Sequence, residues 1–198
     1  MTSGFIKTSA AVPESRVGDI EYNSERILDL WRQAHEIGAS VAVFPELSMT
    51  GYTSRDLFLN EHLLETCKAA LLTLAKTACT LDPIAFVGLP IKHHLGIFNC
   101  VAGIYKGDVI GLCPKSYLPN YGEFEEERWF RSGRILPPNA TIHLGDAEVP
   151  FGLDILFQAS NQPDLVIGLE VCEDTWVHVP PSLAQISAGA SLICNLSD

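Results

Sequence analysis

The sequence predicts an α/β domain in which helices cover a mixed sheet, and three observations carry that expectation. Apolar residues make up 47% of the 198 positions and charged residues only 19%. That is enough for one sizeable core and far too apolar for a disordered chain. Short apolar runs of strand length alternate with longer stretches of helical periodicity. The runs are joined both by hairpin signals and by helical crossovers, a combination that gives a mixed sheet. No repeat, low-complexity tract or linker interrupts the chain, so residues 1–198 read as one domain.

In chain order, Gly4 to Val12 reads as a first strand. Asp19 suits the N-cap of a helix with Ile20, Ile27, Leu30, Trp31, Ala34 and Ile37 on one side, and Gly38 suits its C-terminal cap. Val41 to Phe44 is a short buried strand stopped by Pro45, and Asp56 to Thr80 reads as a helix with Leu63, Leu64, Leu71, Leu72 and Leu74 inside. Ile84 to Leu89 is the next strand. Phe98 to Tyr105 and Val109 to Leu112 flank Lys106-Gly107-Asp108, a hairpin signal. Thr141 to Leu144 and Ala147 to Phe151 flank Gly145-Asp146, a second one. Leu165 to Val171 is a strongly apolar strand, Ser182 to Ala188 a short helix, and Ser191 to Asn195 the last strand.

Composition excludes several function classes. The net charge of −11 disfavours nucleic acid, because a phosphate backbone needs a positive footprint. No run approaches 18 apolar residues, so no membrane span is expected. The start, MTSGFIKTSAAVPESR, lacks an apolar segment behind a basic one, which argues against a signal peptide and for the cytoplasm. The six cysteines include no CxxC pair, and the six histidines show no HExxH or zinc spacing. Reduced thiols and no metal are expected. GxxxxGK[ST], GxGxxG and GxSxG are absent.

Three strand ends stand out. Glu46 follows the apolar run Val41–Phe44, where burial raises a carboxylate's pKa; the plainer reading is a loop glutamate. Lys115 ends the strand Val109–Leu112; the plainer reading is a solvated lysine. Cys172 ends the strand Leu165–Val171 and precedes Glu173 and Asp174. A cysteine there is a nucleophile if a base takes its proton and a cation offsets the adjacent carboxylates, and otherwise a buried structural thiol. Glu46 and Lys115 supply both if the three strand ends converge.

The stretches FPELSMTGY (44–52), KSYLPNYGEFEEERWF (115–130) and EVCEDTW (170–176) resemble the nitrilase, or carbon–nitrogen hydrolase, superfamily, which uses a Glu–Lys–Cys triad. Together with GYTSRDLF (51–58) and GASLICNLS (189–197), they are more narrowly similar to the glutamine-hydrolysing domain of the glutamine-dependent NAD synthetase family. The resemblance runs from the first strand to Ser197. It implies a nitrilase-like α-β-β-α sandwich, with Glu46 as general base, Lys115 as oxyanion donor and Cys172 as nucleophile. Glu126 is implied as a supporting carboxylate among Glu123, Glu125, Glu126 and Glu127, the other three lying on a solvated face. Tyr52, Tyr121, Phe124 and Glu173 match positions around the glutamine, with Glu173 facing its ammonium. Trp176, Tyr117 and Trp129 read as packing residues, and the remaining cysteines as structural.

The same resemblance implies ammonia passed to an ATP- and Mg2+-dependent synthetase domain that amidates nicotinic acid adenine dinucleotide. That domain and its SGGxDS-type loop are missing here, and no cofactor is expected in this one. Homo-oligomerisation is expected. Domains of this kind run to roughly 250 residues, so the chain is expected to be cut short at its C-terminal end. Two other functions remain: a stand-alone amidase, nitrilase or carbamoylase with the same triad, and an inactive fragment acting as a binding module.

Overall fold

The computed structural model describes residues 4–198. The elements are β1 (Thr8–Ala10), α1 (Ile20–Glu36), β2 (Val41–Val43), a 3-10 helix (Tyr52–Leu59), α2 (Glu61–Thr77), β3 (Ile84–His93), β4 (Gly96–Tyr105) and β5 (Asp108–Pro114). The chain continues through β6 (Thr141–Leu144), β7 (Ala147–Pro150), β8 (Phe157–Ala159), β9 (Gln162–Val171), a 3-10 turn (Cys172–Thr175), α3 (Pro181–Ser187) and β10 (Leu192–Leu196). One sheet has the order β1-β2-β3-β4-β5, a second β10-β9-β8, and β6-β7 is a separate hairpin. The first sheet is mixed: β1, β2 and β3 run parallel, then β3, β4 and β5 form an antiparallel meander.

Strand alternation explains the layers. In β3, Ala85, Val87, Leu89 and Ile91 face α1 and α2, while Phe86 faces the second sheet. In β4, Cys100, Ala102 and Ile104 take the helix side and Val101 the sheet side. Both faces are buried, so these strands read as continuous apolar runs rather than alternating ones. Phe157, Leu165, Ile167, Leu169 and Val171 supply the opposing inner face, and α3 covers the outside of β9 through Gln185, whose amide donates to the Leu169 carbonyl at 2.8 Å. The result is an α-β-β-α sandwich. No described helix is long and apolar enough to cross a membrane.

Several expected boundaries move for identifiable reasons. Asp19 caps α1 by accepting from the Tyr22 N–H at 3.1 Å, and Ile20, Ile27, Trp31 and Ala34 are buried. Ile37 instead lies exposed at the C-cap. The helix expected from Asp56 is two elements. Arg55 adopts φ 49°, and the extended Asn60 caps a new helix by accepting from the Leu63 N–H at 3.2 Å. Leu72 of that helix is only half-buried. The first strand contracts to three residues, whereas β3 and β9 each extend to ten. Strand β8 carries no periodic signal, being three residues long; its Phe157 ring fills the space above Gly103, where a Cβ would lie 2.6 Å away.

Gly88 governs how the chain leaves β2. The segment Pro45–Leu47 crosses β3 at this glycine, and a Cβ there would strike the Leu47 nitrogen and lie 2.5 Å from the Pro45 oxygen and 2.8 Å from the Glu46 carbonyl carbon. Gly88→Ala is therefore expected to cost on the order of 1–3 kcal/mol, as overpacking against backbone does, and to displace Glu46. Denaturant unfolding of the variant beside the parent checks this, and parental stability would refute the close approach.

Candidate active site

The C-terminal ends of β2, β5 and β9 meet. Pro45 stops β2, Leu47 turns with φ 50°, and Glu46 is left 1% exposed. β5 ends in Pro114, after which the Lys115 N–H donates to the Asn99 carbonyl of β4 at 2.7 Å. The Lys115 side chain is fully buried, and its Nζ donates to Glu46 Oε1 and Glu126 Oε1, each at 2.7 Å. Glu126 opens the 3-10 turn Glu126–Arg128 and is buried, while Glu123, Glu125 and Glu127 are exposed. The Tyr52 hydroxyl donates to Glu126 Oε1 at 2.8 Å.

Cys172 follows β9 with φ 44°, a left-handed conformation that is rare for a side-chain-bearing residue and costs about 1–3 kcal/mol. The turn is held from two sides. Asp174, itself buried, accepts from the Val171, Ser116 and Tyr117 N–H groups at 3.2, 3.1 and 2.8 Å. Asn195 of β10 donates to the Cys172 carbonyl at 3.3 Å. Asp174 thus ties the backbone after Lys115 to the backbone before Cys172.

The electrostatics follow from burial. Desolvation pushes the Glu46 carboxyl up to about 7; Lys115 opposes the shift and Glu126 adds to it. Burial alone would lower the Lys115 ammonium, but Glu46 and Glu126 outweigh it and the net direction is up. Burial, then the Glu46 charge, push the Cys172 thiol up to about 11, with Lys115 opposing. Cys172 is therefore a thiol at neutral pH, and it can serve as a nucleophile only with an adjacent proton acceptor. Asp174 is raised to about 6 by burial, against three backbone donors.

All eight residues singled out in the sequence gather here. Glu46, Lys115, Glu126 and Tyr52 are linked by direct hydrogen bonds. Cys172 stands within charge reach of Glu46 and Lys115. Tyr121 donates to Glu173 Oε2 at 2.9 Å, and Phe124 sits edge-on to both Tyr52 and Tyr121. Among the expected packing residues, Trp129 packs on Phe58, but Trp176 is 80% exposed, because the short turn after Cys172 points it away from both cores. All six cysteines are free, and Cys79 is exposed rather than buried because it follows the last turn of α2. Asn99 and Asp174 carry contacts at the site without having been singled out. Asn99 had a legible signal, as an amide inside the apolar run Phe98–Tyr105.

A family model described as carbon–nitrogen hydrolase matches residues 8–198. The chain is 41% identical over 194 residues to the glutamine-dependent NAD(+) synthetase of Mycobacterium tuberculosis, covering 98% of this chain and 28% of that protein. The crystal structure of a glutamine-dependent NAD(+) synthetase from Cytophaga hutchinsonii superposes with a TM-score of 0.81 at 31% identity, covering 97% of this chain and 30% of that one. An amidase from Nesterenkonia sp. shares the fold, with a TM-score of 0.67 at 20% identity over 99% of this chain and 68% of its own. The chain thus spans less than a third of the length of these synthetase relatives.

Proposed function

The chain belongs to the carbon–nitrogen hydrolase family, and on that premise we propose that it hydrolyses the side-chain amide of glutamine through a thioester on Cys172. The observation that carries this reading is the buried Lys115 ammonium held at 2.7 Å by both Glu46 and Glu126, beside a strained cysteine. The glutamine-dependent relatives support glutamine as the substrate. The ammonia released would serve ATP-dependent amidation of nicotinic acid adenine dinucleotide by a synthetase region outside these 198 residues. Among the described residues no group of three His, Cys, Asp or Glu is placed to hold a metal ion, and by this proposal ATP and Mg2+ belong to the synthetase region.

The Cys172 sulfur attacks the carboxamide carbon while its proton passes to Glu46. An ammonium carries three N–H donors, and Lys115 commits two of them to Glu46 and Glu126. The third serves the developing oxyanion. The Glu173 N–H, in the first turn of the 3-10 segment, is a second donor. Collapse of the tetrahedral intermediate breaks the C–N bond, and protonated Glu46 returns the proton to the departing ammonia. Water then attacks the thioester with Glu46 again as base, releasing glutamate and the thiol. Glu173, steadied by Tyr121, offers its carboxylate to the substrate ammonium.

A pH dependence follows. Glu46 accepts a proton only when ionised, and its carboxyl titrates at about 7. In the full-length protein, kcat/KM for glutamine hydrolysis is expected to rise with pH through about 7. Glu46→Gln is expected to lower it by about 100-fold or more and to remove this limb. Near-parental turnover in Glu46→Gln would reject the base assignment.

A further inference from the structure

Asn99 lies in β4, is 1% exposed, and touches two members of the site at once. Its backbone carbonyl accepts the Lys115 N–H at 2.7 Å, and its side-chain Nδ2 donates to Glu46 Oε1 at 2.5 Å. Lys115 Nζ donates to the same oxygen at 2.7 Å. Glu46 Oε1 therefore receives two donors, whereas the equally buried Oε2 has no hydrogen-bond partner among the described residues. The far end of the amide, Asn99 Oδ1, is likewise buried without a partner.

We propose that Asn99 is a positioning residue for the reaction: by occupying Glu46 Oε1 together with Lys115, it leaves Oε2 as the one carboxylate oxygen on which the Cys172 proton can land. The inference rests on the reading of the site as a cysteine amidase. An oxygen that already accepts two strong hydrogen bonds is a poor proton acceptor, so protonation at Oε2 keeps both contacts intact in either charge state. The same bond favours the ionised form of Glu46, since a donor to a carboxylate stabilises its charge. The charged and titratable groups around Glu46 are Lys115 at the end of β5, Glu126 in its 3-10 turn, Tyr52 and Cys172. Lys115 favours the ionised form and the Glu126 charge disfavours it. Removing Asn99 leaves that opposition unbalanced toward the proton.

The test is the pH profile of glutamine hydrolysis by the full-length protein carrying Asn99→Ala or the near-isosteric Asn99→Leu, with Glu46→Gln in parallel. The acid limb of kcat/KM is expected to move up by about one pH unit, the size of one hydrogen bond to a charged group. Activity should then fall about fivefold at pH 7 and about tenfold well below it, and largely recover well above the limb. A uniform loss at all pH values, an unmoved limb, or failure of both variants to fold would overturn the proposal, because Asn99 would then be a structural requirement only. Should Glu46→Gln itself retain activity, the amidase reading fails first. Should Glu46→Gln be inactive while the Asn99 variants keep the parental limb, the role of Asn99 alone fails.

Discussion

On the proposed function, Cys172→Ala in the full-length protein is expected to abolish glutamine-dependent synthesis, by on the order of 10^4-fold or more, while synthesis from free ammonium persists. The size of the effect comes from the chemistry. No other thiol can replace Cys172: Cys67, Cys100, Cys113 and Cys194 are buried in the cores, and Cys79 follows α2 on the surface. The variant should fold, since Ala removes one sulfur from a half-buried site and tolerates the turn about as well as Cys does. Retention of the ammonium-dependent reaction separates loss of the nucleophile from loss of structure. A glutamine-like electrophile should label Cys172 alone, and peptide mapping that finds the label on Cys113 or Cys194 would overturn the assignment.

The second large effect concerns Lys115. Lys115→Ala is expected to cost at least about 100-fold in glutamine hydrolysis, the usual loss for an oxyanion donor. It is also expected to destabilise the fold by about 3–5 kcal/mol, because Glu46 and Glu126 would face each other in the interior without their cation. The pH dependence of that loss has a definite sign. With the ammonium gone, burial and the facing carboxylate raise the folded-state pKa of Glu46 further above its ordinary 4.5. The folded state then holds the proton more tightly than the unfolded one, so the stabilising contribution is present at low pH and declines as pH rises through the folded value. Lys115→Ala should therefore be closest to the parent near pH 5 and furthest from it near pH 8. Urea unfolding at the two pH values measures this, and an equal penalty at both would reject the three-charge cluster.

Much of the fold was legible because its elements follow local rules. Asp19 and Gly38 bracket α1, Lys106-Gly107 closes β4 onto β5, and Gly145-Asp146 closes β6 onto β7. Each signal acts over a few residues and needs no distant partner. The break between the Tyr52–Leu59 helix and α2 was not legible, since Asp56 continues a helical pattern. Only in three dimensions do Arg128 and Trp129 draw its carboxylate away at 2.7 and 2.8 Å. Strand β8 was hidden for a similar reason, its Phe157 gaining meaning from Gly103 on a strand more than fifty residues earlier.

The site divides the same way. The sequence by itself determined which chemical groups stand at the strand ends: a carboxylate after Val41–Phe44, an ammonium after β5 and a thiol after β9. An apolar strand delivers whatever follows it to the sheet edge, so residue type and strand position suffice. Tertiary structure alone decided that Lys115 is wholly buried between two carboxylates, that Asn99 takes one oxygen of Glu46, and that Asp174 ties the lysine strand to the cysteine turn. Those are contacts between groups 11 to 69 residues apart, or between side chain and backbone on different elements. Their strength comes from exclusion of water, which no local pattern records. The proton affinity of Glu46 is set there, by the burial that raises it and the donors that hold it down.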